Sequence, residues 1–382
     1  MFRRGLGAAW PITRAASTAS GLPPPVPPSE YQVHLPKDQY RHVEAPTEWW
    51  WHIGTLKAGD RIFGFEINAA GYPGYGDEKF AFTQVMLSDV HNKKHYQQST
   101  VYRPLPAPAP NVDFNTWAES DPTKAWKVGL GDSTPPSYVA MNAPQADPTK
   151  NMRVAAHLFD QGTDIDFQLN LSQQGKPFMV FGTGLRGDPE NPDHKNYYYS
   201  LTRLEVSGTI KIGAESFDVT GMTWMDHEYG YFGSPGDPVK WILQNAQLDN
   251  GWHLMNFVSL AGDKPRPTVG TKMWSNMTLQ DPQGNMYYLD ESQQLASMTP
   301  TGRTWTSPWS DNEYFLEYLV EIIPWKVTLT VTSLMDAQEF PSHALVGGKI
   351  VQSGIYEGVA AASGTFQGQQ VSGTAWNEQL LK

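Results

Sequence analysis

Apolar and polar residues alternate with a period of two over most of the chain beyond Glu30, and this pattern restricts the fold more than any other feature. In one example, Ile165, Phe167, Leu169 and Leu171 alternate with polar residues. Such alternation predicts half-buried β-strands. The 34 Gly and 30 Pro residues would end these strands, and no long stretch has the helical period. The sequence therefore predicts an all-β protein, either a sandwich or a barrel.

Two pairs of similar segments indicate an internal duplication. VTGMTWMDHE, which begins at Val219, resembles VSGTAWNE, which begins at Val371, if the second copy is one residue shorter after its Trp. The run that begins at Trp51 also resembles the run that begins at Trp241. Each half would then begin with a Trp-led hairpin and end with a Val-x-Gly-x-x-Trp strand. Chance similarity between short aromatic strands is the alternative.

The duplication and the local composition divide the chain into three parts. Residues 1–29 contain three Arg and no acidic residue and end in a Pro-rich stretch, which predicts a flexible or targeting leader of undetermined destination. Residues 30–235 and 236–382 are predicted to form an N-terminal and a C-terminal β-domain. Gly, Ser and Pro residues interrupt the strand pattern between them.

Composition excludes several classes of function. The chain has no Cys, which excludes thiolate zinc sites, iron–sulfur clusters and thiol nucleophiles. Its net charge of −11 argues against a nucleic-acid partner. No apolar run reaches the roughly 18 to 20 residues of a transmembrane helix, although peripheral membrane contact stays open. Asn170 and Asn276 lie in glycosylation sequons, whose use would require a secretory route.

The densest group of residues that could carry chemistry lies at positions 224–229. On a strand, Trp224, Asp226 and Glu228 would share one face, and His227 and Tyr229 would share the other. In an apolar interior, burial and the like charge nearby would keep one of the two carboxyl groups protonated near neutral pH. That group would be a general acid. Alternatively, this is a strand end whose charges meet water or a structural hydrogen-bond network.

Two further groups are candidates for a pocket. Tyr197 and Tyr199 share a strand face, where their rings could stabilise a developing cation and their hydroxyls could orient a substrate. Core packing with the hydroxyls at the rim is the alternative. Glu48, Trp50 and His52 share a face of an earlier strand. Core packing explains the neighbouring Trp residues, but Glu48 and His52 need a further reason to be there.

The motifs as a set resemble a known family. The resemblance is carried by E-W-W at 48–50, Y-Y-S at 198–200, G-x-x-W-x-D-H-E at 221–228, Y-E-G at 356–358 and G-x-x-W-x-E at 373–378. These segments are similar to those of the carotenoid 1,2-hydratase (hydroxyneurosporene synthase) and AttH-like family, over about residues 40–380. The resemblance implies two tandem lipocalin-like β-barrel domains with a hydrophobic pocket near their junction. It also implies that neither a metal nor an organic cofactor takes part.

The family resemblance implies a lyase of the hydratase or cyclase type, acting on a hydrophobic unsaturated isoprenoid or polyketide. Asp226 would protonate a C=C bond, with Tyr197 and Tyr199 as further catalytic residues, although Tyr197 stands where the hydratases have a His. The residues expected to contact substrate are Trp224, Glu228, Glu48, Trp50 and His52. Two alternatives are a lipocalin-like pericyclase of the Diels–Alder type, which needs no acid, and a carrier that binds a hydrophobic ligand without turnover.

Overall fold

The structure of the chain is a computed structural model that describes residues 21–73, 79–105, 110–131, 137–187, 191–232, 240–260, 265–346 and 349–381. These residues form 26 β-strands and three short 3-10 helices, at Pro28–Glu30, Lys37–Gln39 and Glu291–Gln293, and they contain no α-helix. The all-β prediction is confirmed. Most of the predicted leader and the boundary between residues 235 and 236 lie outside the described residues, so both stay predictions.

The first thirteen strands form one sheet. They are β1 Thr47–Ala58, β2 Arg61–Tyr72, β3 Phe80–Asp89, β4 Lys94–Pro104, β5 Asn111–Val112, β6 Lys127–Gly131, β7 Tyr138–Asn142, β8 Asn151–Asp160, β9 Thr163–Gln173, β10 Phe178–Met179, β11 Leu185–Gly187, β12 Lys195–Ile212 and β13 Glu215–Gly230. Their order is β5-β4-β3-β2-β1-β13-β12-β9-β8-β7-β6, and the short strands β10 and β11 pair with β12. Neighbouring strands are antiparallel except β4 and β5.

Hydrogen bonds join the two ends of this sheet into a nearly closed barrel. On β4, the backbone N–H of Gln97 donates to Asp160 Oδ2 at 3.0 Å. The Gln98 side chain accepts from the backbone N–H of Phe159 at 2.8 Å. A backbone bridge between Ala118 and Val128 links the segment after β5 to β6. The barrel encloses a large apolar core, as alternating strands predict.

The second half of the chain forms another sheet. Its strands are β14 Trp241–Leu248, β15 His253–Ser259, β16 Met273–Trp274, β17 Asn276–Gln280, β18 Met286–Leu289, β19 Ala296–Pro300, β22 Glu317–Ile322, β23 Val327–Ser333, β24 Glu339–Val346, β25 Lys349–Phe366 and β26 Gln369–Leu380, and β20 Thr304–Thr306 pairs separately with β21 Glu313–Phe315. The order is β16-β19-β22-β23-β25-β26-β14-β15-β17-β18, with β24 beside β25. Only Ser275 separates β16, which pairs with β19, from β17, which pairs with β15. This one segment therefore connects the two sides of the sheet, which curves into a half-barrel.

The duplication is visible in the strand pairing. In the first sheet β1, β13 and β12 are neighbours in that order, and in the second sheet β14, β26 and β25 are neighbours in the same order. Trp224 pairs with Ile53 in the first half, and Trp376 pairs with Asn245 in the second. The register therefore makes β13 equivalent to β26 and the β1–β2 hairpin equivalent to the β14–β15 hairpin.

The register corrects two details of the sequence comparison. Counted from the paired Trp residues, Trp241 is equivalent to Trp49 rather than to Trp51. No residue is missing after the second Trp, so Glu378 is equivalent to Asp226. The sequence comparison aligned the most conspicuous side chains, whereas cross-strand pairing fixes which positions are equivalent.

The two sheets pack face to face, and we call this interface the junction. Gln247 on β14 donates to the backbone carbonyls of Thr202 and Thr223 in the first sheet, at 2.6 and 2.9 Å. A Cβ on Gly64 of β2 would lie 2.5 Å from the Cβ of Val359 on β25, so only glycine permits this close approach. Within the described residues, no helix has the length and apolar character needed to cross a membrane.

Candidate active site at the junction

Strand β13 presents two of its acidic side chains, Asp226 and Glu228, to the junction. Trp224, Asp226 and Glu228 are buried and share one face, while His227 and Tyr229 point into the first barrel. The alternation expected for positions 224–229 is therefore confirmed. Only 5% of the surface of Asp226 and of Glu228 is exposed, so both residues are almost fully shielded from solvent.

Asp226 accepts two short hydrogen bonds on one oxygen. Ser200 Oγ donates to Asp226 Oδ1 at 2.5 Å, and Trp224 Nε1 donates to the same atom at 2.6 Å. Burial raises the pKa of Asp226, and these hydrogen bonds oppose the rise, so that the pKa is about 6. A carboxyl group with this pKa exchanges its proton close to physiological pH.

Two neighbouring carboxyl groups, those of Glu228 and Glu378, hold their protons more tightly than Asp226 does. Glu228 accepts a hydrogen bond from the Asn196 side chain, yet burial raises its pKa to about 8. On the opposite sheet, Trp241 Nε1 donates to Glu378 Oε1 at 2.5 Å. Burial raises the pKa of Glu378 to about 8 as well, and the charge of Asp226 adds to the rise. Both glutamates are therefore mostly protonated at neutral pH.

Sequence reasoning did not predict Glu378 as a site residue, and it missed two further buried acids at the junction. Glu66 on β2 pairs with Ile53 on the junction side of the first sheet, and Trp376 Nε1 donates to Glu357 Oε2 on β25 at 2.5 Å. Burial raises the pKa of both groups well above the usual value. Glu357 lies in the Y-E-G motif, and Glu66 interrupts an apolar strand, so a signal existed for each.

A small cavity lies between the sheets beside this acid cluster. Its lining residues come from both halves of the chain: Ile53, Gly54, Thr55, Trp224, Asn245, Gln247, Thr374, Ala375 and Trp376. Its volume is about 10 Å³, which is the space of about one water molecule. The cavity lies at the junction, where a pocket was expected, but its volume is far smaller than that of an isoprenoid or polyketide.

The other predicted site residues lie on the opposite face of the first sheet. Tyr199 and Trp50 both pair with His227, which points into the barrel, and Glu48 and His52 share that face. Tyr197 is on the same side, where its ring stacks on Tyr229. The expectation that these residues share one pocket with Asp226 is therefore wrong. Strand register, which local sequence does not reveal, places Ser200 beside Asp226 instead.

Burial explains the state of two of these barrel residues. His52 is fully buried, its ring nitrogens have no hydrogen-bond partner among the described residues, and burial lowers its pKa to about 3. It is a neutral core histidine. The Tyr199 hydroxyl donates to Gln39 Oε1 and contacts His227 Nδ1 at 3.0 Å, and burial raises its pKa well above the usual value.

Among the described residues, one group could hold a metal ion, because its ligand atoms lie within 4.8 Å of one another. It consists of His42, Glu48 and His227. His42 Nδ1 and His227 Nε2 lie 2.8 and 2.9 Å from the same oxygen, Glu48 Oε1. Burial lowers the pKa of His42, but hydrogen bonds with Asp38 and Glu48 outweigh burial and raise it to about 9. At neutral pH this ring offers an N–H rather than a lone pair, so we interpret the group as a hydrogen-bonded ion pair.

Comparison with known proteins places this geometry in a family. The AttH-like family model matches residues 25–378. Solved structures with a similar fold include AttH (NE1406) from Nitrosomonas europaea, with 23% identity, a TM-score of 0.70 and coverage of 94% of this chain and 100% of that one. Kievitone hydratase from Nectria haematococca has 14% identity, a TM-score of 0.64 and coverage of 92% and 93%. CghA with Sch210972 has 10% identity, a TM-score of 0.52 and coverage of 88% of both chains.

The structural matches extend over nearly the whole chain and confirm the predicted fold class of tandem lipocalin-like barrels. At these identities they establish the fold alone. A search of curated proteins found no match to this sequence.

Proposed function

The chain belongs to the AttH-like family, and from this premise we propose that it is a lyase of the hydratase or cyclase type. Its substrate would be a hydrophobic, unsaturated molecule of the isoprenoid or polyketide class. The reaction would begin with transfer of a proton to a C=C bond. One structural neighbour is a hydratase by name, which is consistent with this proposal.

The observation that carries the proposal is the environment of Asp226. This carboxyl group is buried at the junction, is oriented by Ser200 and Trp224, and has a pKa of about 6. A general acid works best when its pKa lies near the operating pH, and such catalysis contributes typically about 10² to 10⁴-fold. Glu228, with a pKa of about 8, stays protonated at that pH and so adds no negative charge beside Asp226.

The chemistry of the proposed step follows from the side chains around this acid. The Asp226 O–H bond would break as its proton forms a C–H bond with one alkene carbon, which leaves a carbocation at the other. The face of the buried Trp224 ring would stabilise that cation. Addition of water, followed by return of a proton from the oxonium ion to the Asp226 carboxylate, would give an alcohol. Attack by a second double bond would give a ring and a new cation, which would lose a proton to the same carboxylate.

The small size of the junction cavity adds a condition to the proposal. A cavity of about 10 Å³ cannot hold a polyene. The two sheets, or the segments at their rim, must therefore separate to admit a substrate. Mass spectrometry of organic extracts from the purified protein would identify a co-purified substrate or product and supply the compound for turnover assays.

The test of the proposed function compares the wild type with Asp226→Asn in deuterated buffer. The wild type is expected to place solvent deuterium on a substrate carbon, and the variant is expected to lose this activity at least 10²-fold. Asp164→Asn, at an exposed position on β9, is the matched control. Undiminished turnover by Asp226→Asn would contradict the proposal.

The same assay separates the two alternatives. A pericyclase would change the substrate without placing solvent deuterium on carbon, because a pericyclic closure needs no proton. A carrier would return the ligand chemically unchanged after long incubation. Either outcome would remove Asp226 from the role of general acid.

A further inference from the structure

Three buried polar atoms of residues that line the junction cavity lack hydrogen-bond partners. They are Thr55 Oγ1, Asn245 Nδ2 and Asn245 Oδ1, and no described residue pairs with them in acceptable geometry. The cavity is also lined by apolar groups, including Ile53 and Trp376. Buried polar atoms without a partner are costly, and an amide and a hydroxyl facing a water-sized space are suited to a bound water.

The duplication shows that the fold does not require this polarity. The cavity lies between equivalent positions of the two halves, and the position equivalent to Asn245 is occupied by Ile53. Gln247, the equivalent of Thr55, uses its amide N–H groups on backbone carbonyls and its oxygen on Thr374 Oγ1 at 2.9 Å. Asn245 is therefore a polar residue at a position where the same strand arrangement accommodates an aliphatic one.

The cavity adjoins the proposed acid. Trp224 forms part of its wall and donates its N–H to Asp226. The Asn245 side chain also acts on Asp226, since it favours the ionised carboxylate, although its polar atoms do not meet hydrogen-bond geometry. Trp224 and Asn245 therefore connect the wall of the cavity to the reacting carboxyl group.

We propose that Asn245 and Thr55 bind a single water molecule in this cavity, and that this water is the reactant added to the substrate. The second part rests on the proposed function. After Asp226 has protonated one alkene carbon, a lone pair of the water oxygen forms a C–O bond with the other. The resulting oxonium ion returns a proton to the Asp226 carboxylate. The sum is addition of H₂O to the C=C bond with the acid restored. Asn245 and Thr55 are thus positioning residues.

The binding of water is tested by crystal structures of the full chain as wild type, Asn245→Ile and Thr55→Val. Asn245→Ile uses the residue of the equivalent position, and Thr55→Val keeps the shape of the side chain. The wild type is expected to show one ordered water within about 3.2 Å of both side chains. Asn245→Ile is expected to lack it, and Thr55→Val to lack it or hold it more weakly. A wild-type cavity without water, or an unchanged water in both variants, would overturn the proposal.

The role of the water is tested separately with the substrate identified from extracts. Asn245→Ile is expected to form at least about tenfold less hydrated product while it still places solvent deuterium on carbon, because protonation does not need this water. Thr328→Val, on the exposed side of β23, is the control. Equal loss of hydration and deuterium incorporation, or unchanged hydration, would overturn the role of reactant. Failure of the proposed function would instead appear as absence of deuterium in the wild-type product.

Discussion

Each half of the molecule has a carboxyl group at the equivalent position of an equivalent strand, but the cross-strand partner of that group differs between the halves. On β13, Asp226 pairs across the strands with Ser200 on β12. On β26, the equivalent Glu378 pairs with Glu357 on β25. The first acid therefore has a hydroxyl donor beside it, and the second has another acid.

This difference in neighbours contributes to a difference in proton affinity between the two acids. Both acids are removed from water and each accepts one indole hydrogen bond, Asp226 from Trp224 and Glu378 from Trp241. Asp226 also accepts from Ser200, and its pKa is about 6, whereas the pKa of Glu378 is about 8. The hydroxyl of Ser200 thus contributes to the lower pKa of the acid that exchanges protons near neutral pH.

The largest expected effect is a contrast in turnover between the two equivalent acids. Asp226→Asn should lower turnover by about 10² to 10⁴-fold, because it removes the transferable proton. Glu378→Gln should change turnover by less than about tenfold, since a neutral amide resembles the protonated acid already present. Steady-state rates measured side by side would check this. Equal losses in both variants would mean that the halves are functionally alike.

A second prediction concerns stability against pH. The folded-state pKa of Glu378 lies above its unfolded value, so its contribution is present at low pH and is lost as pH rises toward about 8. Each pH unit in that window removes up to about 1.4 kcal/mol of unfolding free energy per such group. Thermal melts of wild type and Glu378→Gln between about pH 5 and pH 8 should show that the melting temperature falls less steeply with pH in the variant. Parallel curves would show that Glu378 ionises normally in the fold.

The third prediction sharpens the contribution of Ser200. Ser200→Ala removes a donor to the ionised form of Asp226, so the pKa of Asp226 should rise by about one to two units. The pH above which activity declines should move upward from about 6 by the same amount. A pH–rate profile measures this. An unmoved midpoint would mean that the hydroxyl does not set the proton affinity of Asp226.

The smallest effect is expected on the other face of the first sheet. Tyr199→Phe removes a hydroxyl that contacts His227 and Gln39 inside the barrel. Because this hydroxyl does not face the junction, turnover should change by less than about threefold. A loss as large as that of Asp226→Asn would return Tyr199 to the catalytic group.

The sequence predicted those features that follow from local pattern. Period-two alternation identified the strand class and placed Asp226 and Glu228 on one face, and the duplicated motif identified β13 and β26. It could not show that Tyr199 and Asp226 lie on opposite sides of the sheet, since that depends on the register between β12 and β13. The acids Glu66, Glu357 and Glu378 were missed as site residues for a similar reason. Their proximity depends on packing between sheets, which links residues far apart in the chain.

The most direct test is a carboxyl ¹³C NMR titration of the full chain labelled at Asp and Glu, with Asp226→Asn, Glu228→Gln and Glu378→Gln used to assign the resonances. Asp226 is expected to titrate at about 6, and Glu228 and Glu378 at about 8. Titration of Asp226 at the ordinary value for an aspartate, or at the same pH as Glu378, would contradict the account of a proton-exchanging acid at the junction.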